Sequence, residues 1–297
     1  MKLPARTYGY LLAFLSAAAG AVRYNLAIYA NLQGFDYVAF LTYALGVGVL
    51  ASGAHVLYCD GPRGFLPLRG KTRYALLYGV LMSWSTLSHF VALYYMNETL
   101  MISVAQSGIL ITIALAVWLL GERFTIREWI GTGIICAAVL HYKPWSGEVP
   151  HRTGFLIVLS GVVGGSLATV GAKRWVLEVP PRVMMVWRNA VALVVVAAYA
   201  LLTGRLAGPP ATLGTAVAVL AAGIVGPYLH GLTFLMALEH LGAAKAALMN
   251  RVQPVIVFVL SWVFLSSVPA REDMASAALF VVGALWLVAA RGKAEKA

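Results

Sequence analysis

The chain has 297 residues, 61% of them hydrophobic and only 11% charged, with a mean hydropathy of +0.83. A soluble domain is closer to half apolar and a quarter charged, so this composition excludes one and leaves a polytopic helical membrane protein. The net charge of +11 comes without a basic face, zinc spacing or RNA-binding signature, which excludes nucleic acid as a partner, and Cys59 and Cys136 are too far apart in sequence to mark a disulfide framework or metal site.

Apolar blocks between turn signals predict ten membrane-spanning helices, near 6–28, 36–58, 72–96, 98–120, 126–142, 153–176, 181–203, 211–237, 241–265 and 273–290. Strands are not expected, because barrel spans show short alternating runs rather than long apolar blocks. At the start, Lys2 and Arg6 precede an apolar run ending in SAAAGA (16–21), the outline of a secretory signal. The internal repeat described below uses that run as a span, so it is read as part of the mature bundle. Connections are short apart from CDGPRGFLPLRGK (59–71), which leaves no room for a soluble domain. Lys and Arg in loops, tails and span ends divide 14 against 4 between the two faces, with the basic tail RGKAEKA (291–297) on the richer side and Lys143, Arg152, Arg205 and Arg271 on the other. The positive-inside rule then places both termini in the cytoplasm, the protein in the cytoplasmic (inner) membrane and its basic segments on anionic headgroups.

The chain resembles itself at a shift of about 145 residues. GYLLAFLSAAAG (9–20) lies over GFLIVLSGVVGG (154–165), pairing Gly9 with Gly154 and Gly20 with Gly165. AQSGILITIALAVWLL (105–120) lies over RVQPVIVFVLSWVFLS (251–266) at a shift of 146, pairing Gly108 with Pro254. Each half, 1–145 and 146–297, holds five spans. An odd number makes the second half enter the membrane in the opposite orientation, the inverted-repeat design of many secondary transporters.

LLGERFTIREWIGTGIICAAVL (119–140) resembles the signature of the drug/metabolite transporter superfamily in its EamA-type branch, where a Leu-Gly-Glu triplet closes the fourth span and a glycine-spaced fifth span follows. ALEHLGAAKAALMNRVQPVIVFVLSW (237–262) is similar to the matching segment of that family's second half, with its ninth-span proline at Pro254, and VWRNAVAL (186–193) is similar to its seventh-span arginine segment. The resemblance covers nearly the whole chain. It implies an all-α fold of ten helices in two inverted five-helix repeats, and movement of small organic solutes such as amino acids, other metabolites, sugar phosphates or nucleotide sugars. Three departures leave the substrate open: SSVPARED (266–273) stands where the family often repeats Leu-Gly-Glu, Gly108 stands opposite Pro254, and Tyr43 stands where a second-span arginine would face Arg188.

Four basic residues fall inside spans, Arg23, Arg188, Lys245 and Arg251, while the acids fall in loops, tails and span ends. An interior electropositive by about four charges calls for a bound anion as its partner. Arg251 is the leading substrate ligand, beside Asn250, Gln253 and Pro254, because proline frees a backbone carbonyl and broken helices line transporter sites. Its guanidinium fork suits carboxylate or phosphate; bonding to the carbonyls of a neighbouring helix is the competing structural reading. Lys245 is near a membrane face, where snorkelling competes with binding, and Arg188, next to Trp187, serves either the substrate or the packing of the bundle. Arg23 is assigned to gating or the interface. In the third span Tyr78, Met82, Ser85, His89 and Ala92 form a helical stripe, and His230, following Gly226 and Pro227, takes the repeat position of Ser85. Both histidines are proton-carrying candidates weighed against ordinary packing. Glu98 is a candidate coupling acid, although Asn97 and Glu98 also suit a helix start. Glu122 is read as ordering its turn with Arg123 or Arg127.

The expected function is secondary transport of a small polar solute, a carboxylate-bearing metabolite or amino acid, by alternating access, with export the commoner direction. The rivals are an exchanger of phosphorylated sugars or nucleotides, a lipid flippase and a membrane enzyme; the last lacks a His-Glu-x-x-His or Gly-x-Ser-x-Gly motif. No cofactor is expected. The expected partners are an anionic or zwitterionic solute and membrane lipids, and a homodimer stays open.

Overall fold

The computed structural model describes residues 4–65, 72–96, 101, 104–141, 152–265 and 271–289. Helices follow the apolar blocks in order: α1 Ala5–Leu32, α2 Tyr37–Asp60, α3 Thr72–Ala92, α4 Gly108–Leu120 and α5 Ile126–His141 in the first half. The second half has α6 Arg152–Trp175, α7 Pro181–Leu202, α8 Leu213–Leu241, α9 Ala243–Asn250, α10 Gln253–Leu265 and α11 Arg271–Ala289. The protein is an all-α membrane bundle of ten spans, the ninth being the broken pair α9 and α10. Among the described residues, seven stretches are long and apolar enough to cross a membrane, and Val104–Leu120 and Ala278–Ala289 are shorter apolar helices. Large apolar side chains such as Leu50, Trp118, Leu202 and Phe264 face outward, as lipid contact requires.

Local chemistry sets the helix ends. Asp36 Oδ1 accepts from the N–H groups of Val38 (2.8 Å) and Ala39 (3.1 Å), capping α2, and Thr212 Oγ1 caps α8 by accepting from the Thr215 N–H at 3.1 Å. Gly121 closes α4 at φ +63°, where a side chain would be strained.

The packing is symmetric under exchange of the two halves. Helix α3 packs along α6 as α8 packs along α1; α4 lies on α6 as the ninth span lies on α1; α3 meets α7 as α8 meets α2. The contacts repeat position for position at these glycines. A Cβ on Gly9 would come within 2.7 Å of His240 and 2.9 Å of Leu241, and one on Gly154 within 2.8 Å of Tyr95 and 2.9 Å of Met96. Tyr95 and Met96 stand 145 positions before His240 and Leu241, so the sequence repeat is also a repeat of contacts. Close helix approach at small residues is the usual way membrane helices pack.

This predicts a contrast between two glycines. A Cβ on Gly161 would sit 2.6 Å from Ser88 Cβ and 3.3 Å from the Ser85 carbonyl, whereas Gly46 has open space around it. Gly161→Val is expected to cost about 1–3 kcal/mol by overpacking, and Gly46→Ala to be neutral or slightly stabilising. Thermal unfolding in detergent checks both.

Candidate functional site

Three spans, the fourth, the eighth and the ninth, are interrupted within their length. In the fourth span the α-pattern breaks at Ser107, whose N–H donates to the Val104 carbonyl at 3.1 Å, and Leu110 N–H donates to Ser107 O at 3.0 Å. In the ninth span Val252 N–H donates to Met249 O at 3.3 Å and Val255 N–H to Val252 O at 3.0 Å. These tight three-residue bonds superpose at a shift of 145, one less than the 146 suggested by aligning the two apolar runs. Arg251 is therefore the repeat mate of Gln106, and Pro254 of Ile109 rather than Gly108. The slip arises because a run of interchangeable apolar side chains carries no register, whereas the hydrogen-bond break does. The third interruption is a π-helical stretch, Ile224–His230, formed around Pro227 in α8.

The breaks in the fourth and ninth spans border a cavity of ≈190 Å³ between the halves. Its wall holds Ser85, His89, His230, Asn250, Arg251, Gln253 and Pro254 from the predicted set, together with Tyr24, Gln106, Thr112, Ser166 and Thr169. Arg251 Nη1 donates to its own mate, the Gln106 Oε1 (2.8 Å), and to the Ala105 carbonyl (3.3 Å). Its Nε has no partner, and Nη2 lies over Gly108, where a Cβ would stand 3.6 Å away. One amino group is thus tied to a neighbouring helix, while no acid pairs with the guanidinium among the described residues.

Around it the polar groups are held in place by the helices behind them. Thr112 Oγ1 donates to Ser166 Oγ at 3.1 Å, and Ser166 donates to the Gly108 carbonyl at 3.1 Å. The Ser16 carbonyl lies 2.8 Å from His230 Nδ1. A carbonyl only accepts, so Nδ1 carries a proton, and whenever the ring is neutral its Nε2 is an acceptor. Gly20 leaves the space that His230 and Gln253 fill, and its repeat mate Gly165 does the same for Ser85: a Cβ there would meet His230 Nδ1 at 3.1 Å and Ser85 Oγ at 2.6 Å respectively.

A family model, described as the EamA-like transporter family, matches the chain twice, over residues 7–142 and again over 152–289. The chain belongs to the EamA-like transporter family. An EamA-like chain is a membrane transporter of small solutes. A crystal structure described only as that of a protein is similar to this EamA-like fold at a TM-score of 0.81, with 18% identity over 97% of this chain and 99% of that one. That likeness shows the fold alone. No curated protein matches the chain.

Several predicted residues of this EamA-like protein stand outside the cavity wall. Arg188 Nη1 and Asn189 Nδ2 donate to the Pro227 carbonyl at 3.4 and 3.2 Å, so the arginine segment ties down an oxygen of the π-helical stretch. Trp187 packs against the apolar core beside it. Tyr78 is buried against Trp175, ring centroids 6.5 Å apart, so the third-span stripe divides: Met82, Ser85 and His89 face the cavity and Tyr78 the core. Arg23 lays its stem on Gly226 and its guanidinium 4.9 Å from the centre of the Tyr24 ring, behind the wall rather than at an interface. Glu98 falls outside the described residues.

Lys245 neither snorkels nor reaches the cavity. Its Nζ pairs with Glu128 at 3.0 Å, with side-chain exposures of 13% and 4%, so one of the four interior cations has a counterion after all. Glu122, expected to bond within its own turn, instead crosses to the other half: Oε1 accepts from the Ala243 N–H at 2.6 Å and Oε2 from Ala244 at 3.2 Å, capping α9. Gly242, at φ +88°, makes room for that carboxylate. Glu122→Ala is expected to lose about 1–3 kcal/mol through these charged hydrogen bonds, read as a lower unfolding temperature, with Glu122→Gln between the two.

Gln106, Thr112, Ser166, Thr169 and Tyr24 are the wall residues the sequence did not single out. The signal for Gln106 was present: it is the one amide in its span and the repeat mate of Arg251.

Proposed function

We propose that the protein is a secondary transporter whose two inverted halves rock about this cavity, carrying a small polar organic solute by a carboxylate or phosphate held at Arg251. One observation carries the reading: a guanidinium that pairs with no acid among the described residues stands on a polar cavity wall where the mirror-related breaks of the two halves meet. A charge in that position is costly unless a guest or a water-filled space meets it. The volume of ≈190 Å³ favours metabolite-sized guests over nucleotides, since pockets for drug-sized ligands run to roughly 300–1,000 Å³. The orientation that goes with this reading puts both termini in the cytoplasm and the protein in the inner membrane.

Counterflow tests the reading. Proteoliposomes preloaded with unlabelled small carboxylates should accumulate labelled carboxylate from outside without nucleotide. Product formation from a lipid or peptide with no solute movement would replace transport with catalysis.

A further inference from the structure

Among the described residues the cavity's electrostatics are one-sided: its wall carries the guanidinium of Arg251 and no carboxylate. Two more guanidiniums stand next to wall residues: Arg23 over the ring of Tyr24, and Arg188 against the Pro227 carbonyl and Gly231, on either side of His230 in the chain. An ammonium group entering this space would meet repulsion that the membrane interior screens poorly.

The other means of holding an ammonium are uncharged or shared. Backbone carbonyls released at a helix break can coordinate a cation, but several of those at these breaks already accept from donors of the protein. Val104 O accepts from the N–H and hydroxyl of Ser107 (3.1 and 2.6 Å), Ala105 O from Arg251 (3.3 Å), and Gly108 O from Ser166 (3.1 Å). Leu248 O and Met249 O accept from the N–H groups of Arg251 and Val252 (3.0 and 3.3 Å), and His230 O from Ser16 (3.0 Å). Aromatic faces would be a third means. Tyr24 has Arg23 over its ring, and Phe234 is stacked on His230 at 6.5 Å. What remains on the wall carries no carboxylate among the described residues: hydroxyls, side-chain amides and the imidazoles of His89 and His230, with Asn250 Oδ1 and His89 Nε2 lacking a partner and placed to accept from a guest's hydroxyls.

We infer that the solute is a compact hydroxy-carboxylate with net negative charge and not a zwitterionic amino acid. The inference rests on the proposed transport role of the cavity and names the class of its substrate. One anionic charge meets Arg251, and the guest's hydroxyls exchange hydrogen bonds with the amides and hydroxyls around it.

Glycerate and serine decide it, because they share a carbon skeleton and differ at C2 by hydroxyl against ammonium. Each is titrated against the purified full-length protein while thermal unfolding is followed, since a ligand of the native state raises the transition. Glycerate is expected to stabilise the protein with an affinity at least about tenfold above that of serine. Serine binding as tightly, or glycerate producing no shift up to tens of millimolar, overturns the inference. Arg251→Gln separates this from the underlying reading. If serine binds the wild type and loses its effect in Arg251→Gln, only the exclusion of zwitterions fails; if a ligand's effect survives in Arg251→Gln, the assignment of the site to Arg251 fails. Arg251→Lys, which keeps the charge and loses the fork, should retain part of the glycerate shift.

Discussion

Arg251→Gln is expected to lower transport by between about thirtyfold and several thousandfold while leaving a folded, monodisperse protein. The estimate follows from removing one partner of a buried, hydrogen-bonded charge pair, a loss of about 2–5 kcal/mol. Folding should survive because the protein itself asks little of this side chain: it bonds one amide and one carbonyl, Gln106 and Ala105, and among the described residues no acid is left without its cation. Arg251→Lys should fall between the two, since an ammonium supplies charge without the planar fork. Initial rates of solute uptake into proteoliposomes, with protein content matched, measure the series. Wild-type rates in Arg251→Gln would remove this residue from the transport path.

Lys245→Met is expected to act on stability instead. It leaves Glu128, 4% exposed, without the cation 3.0 Å away, although the Thr125 N–H still donates to Glu128 Oε2 at 2.9 Å. Breaking a buried pair from one side costs about 3–5 kcal/mol, because the remaining charge stays desolvated. Glu128→Gln in the same chain removes that charge, so the double variant should recover most of the loss. The cycle is read by unfolding in detergent at fixed pH. A single variant as stable as the wild type would mean that the pair is solvated and holds nothing together. Since Glu128 is on α5 and Lys245 on α9, this contact, with the Glu122 cap on Ala243 and Ala244, fastens the first half to the second at one end of the bundle.

The span order and inverted repeat were legible because membrane helices must satisfy their own backbone over long apolar runs, and such runs leave a clear trace. The glycine pairs were legible for the same physical reason that they pack: Gly9 with Gly154 and Gly20 with Gly165 recur because the same helix crossings recur. Arg251, Asn250, Gln253 and His230 stood out as polar groups in apolar surroundings, and all line the cavity. Thr112, Ser166 and Thr169 did not, because a hydroxyl in a membrane helix commonly bonds its own backbone, as Thr169 does to the Gly165 carbonyl at 2.8 Å. Nor did the sequence indicate that Glu128 would reach Lys245. Which span-end acid meets which interior cation depends on how α5 and α9 lie against each other, and no periodicity encodes that. Arg188 shows the converse: polar and buried, it serves the irregular backbone of α8 and stands away from the cavity wall.

Access to the cavity from each side of the membrane tests the central claim most directly. Thr169, on the wall, is replaced by cysteine in a chain whose own Cys59 and Cys136 are serine, and a membrane-impermeant thiol reagent is added to one side at a time. Two halves rocking around a shared cavity predict modification from both sides, slowed from both by the transported solute. Modification from one side only, in a variant that still transports, would contradict the account.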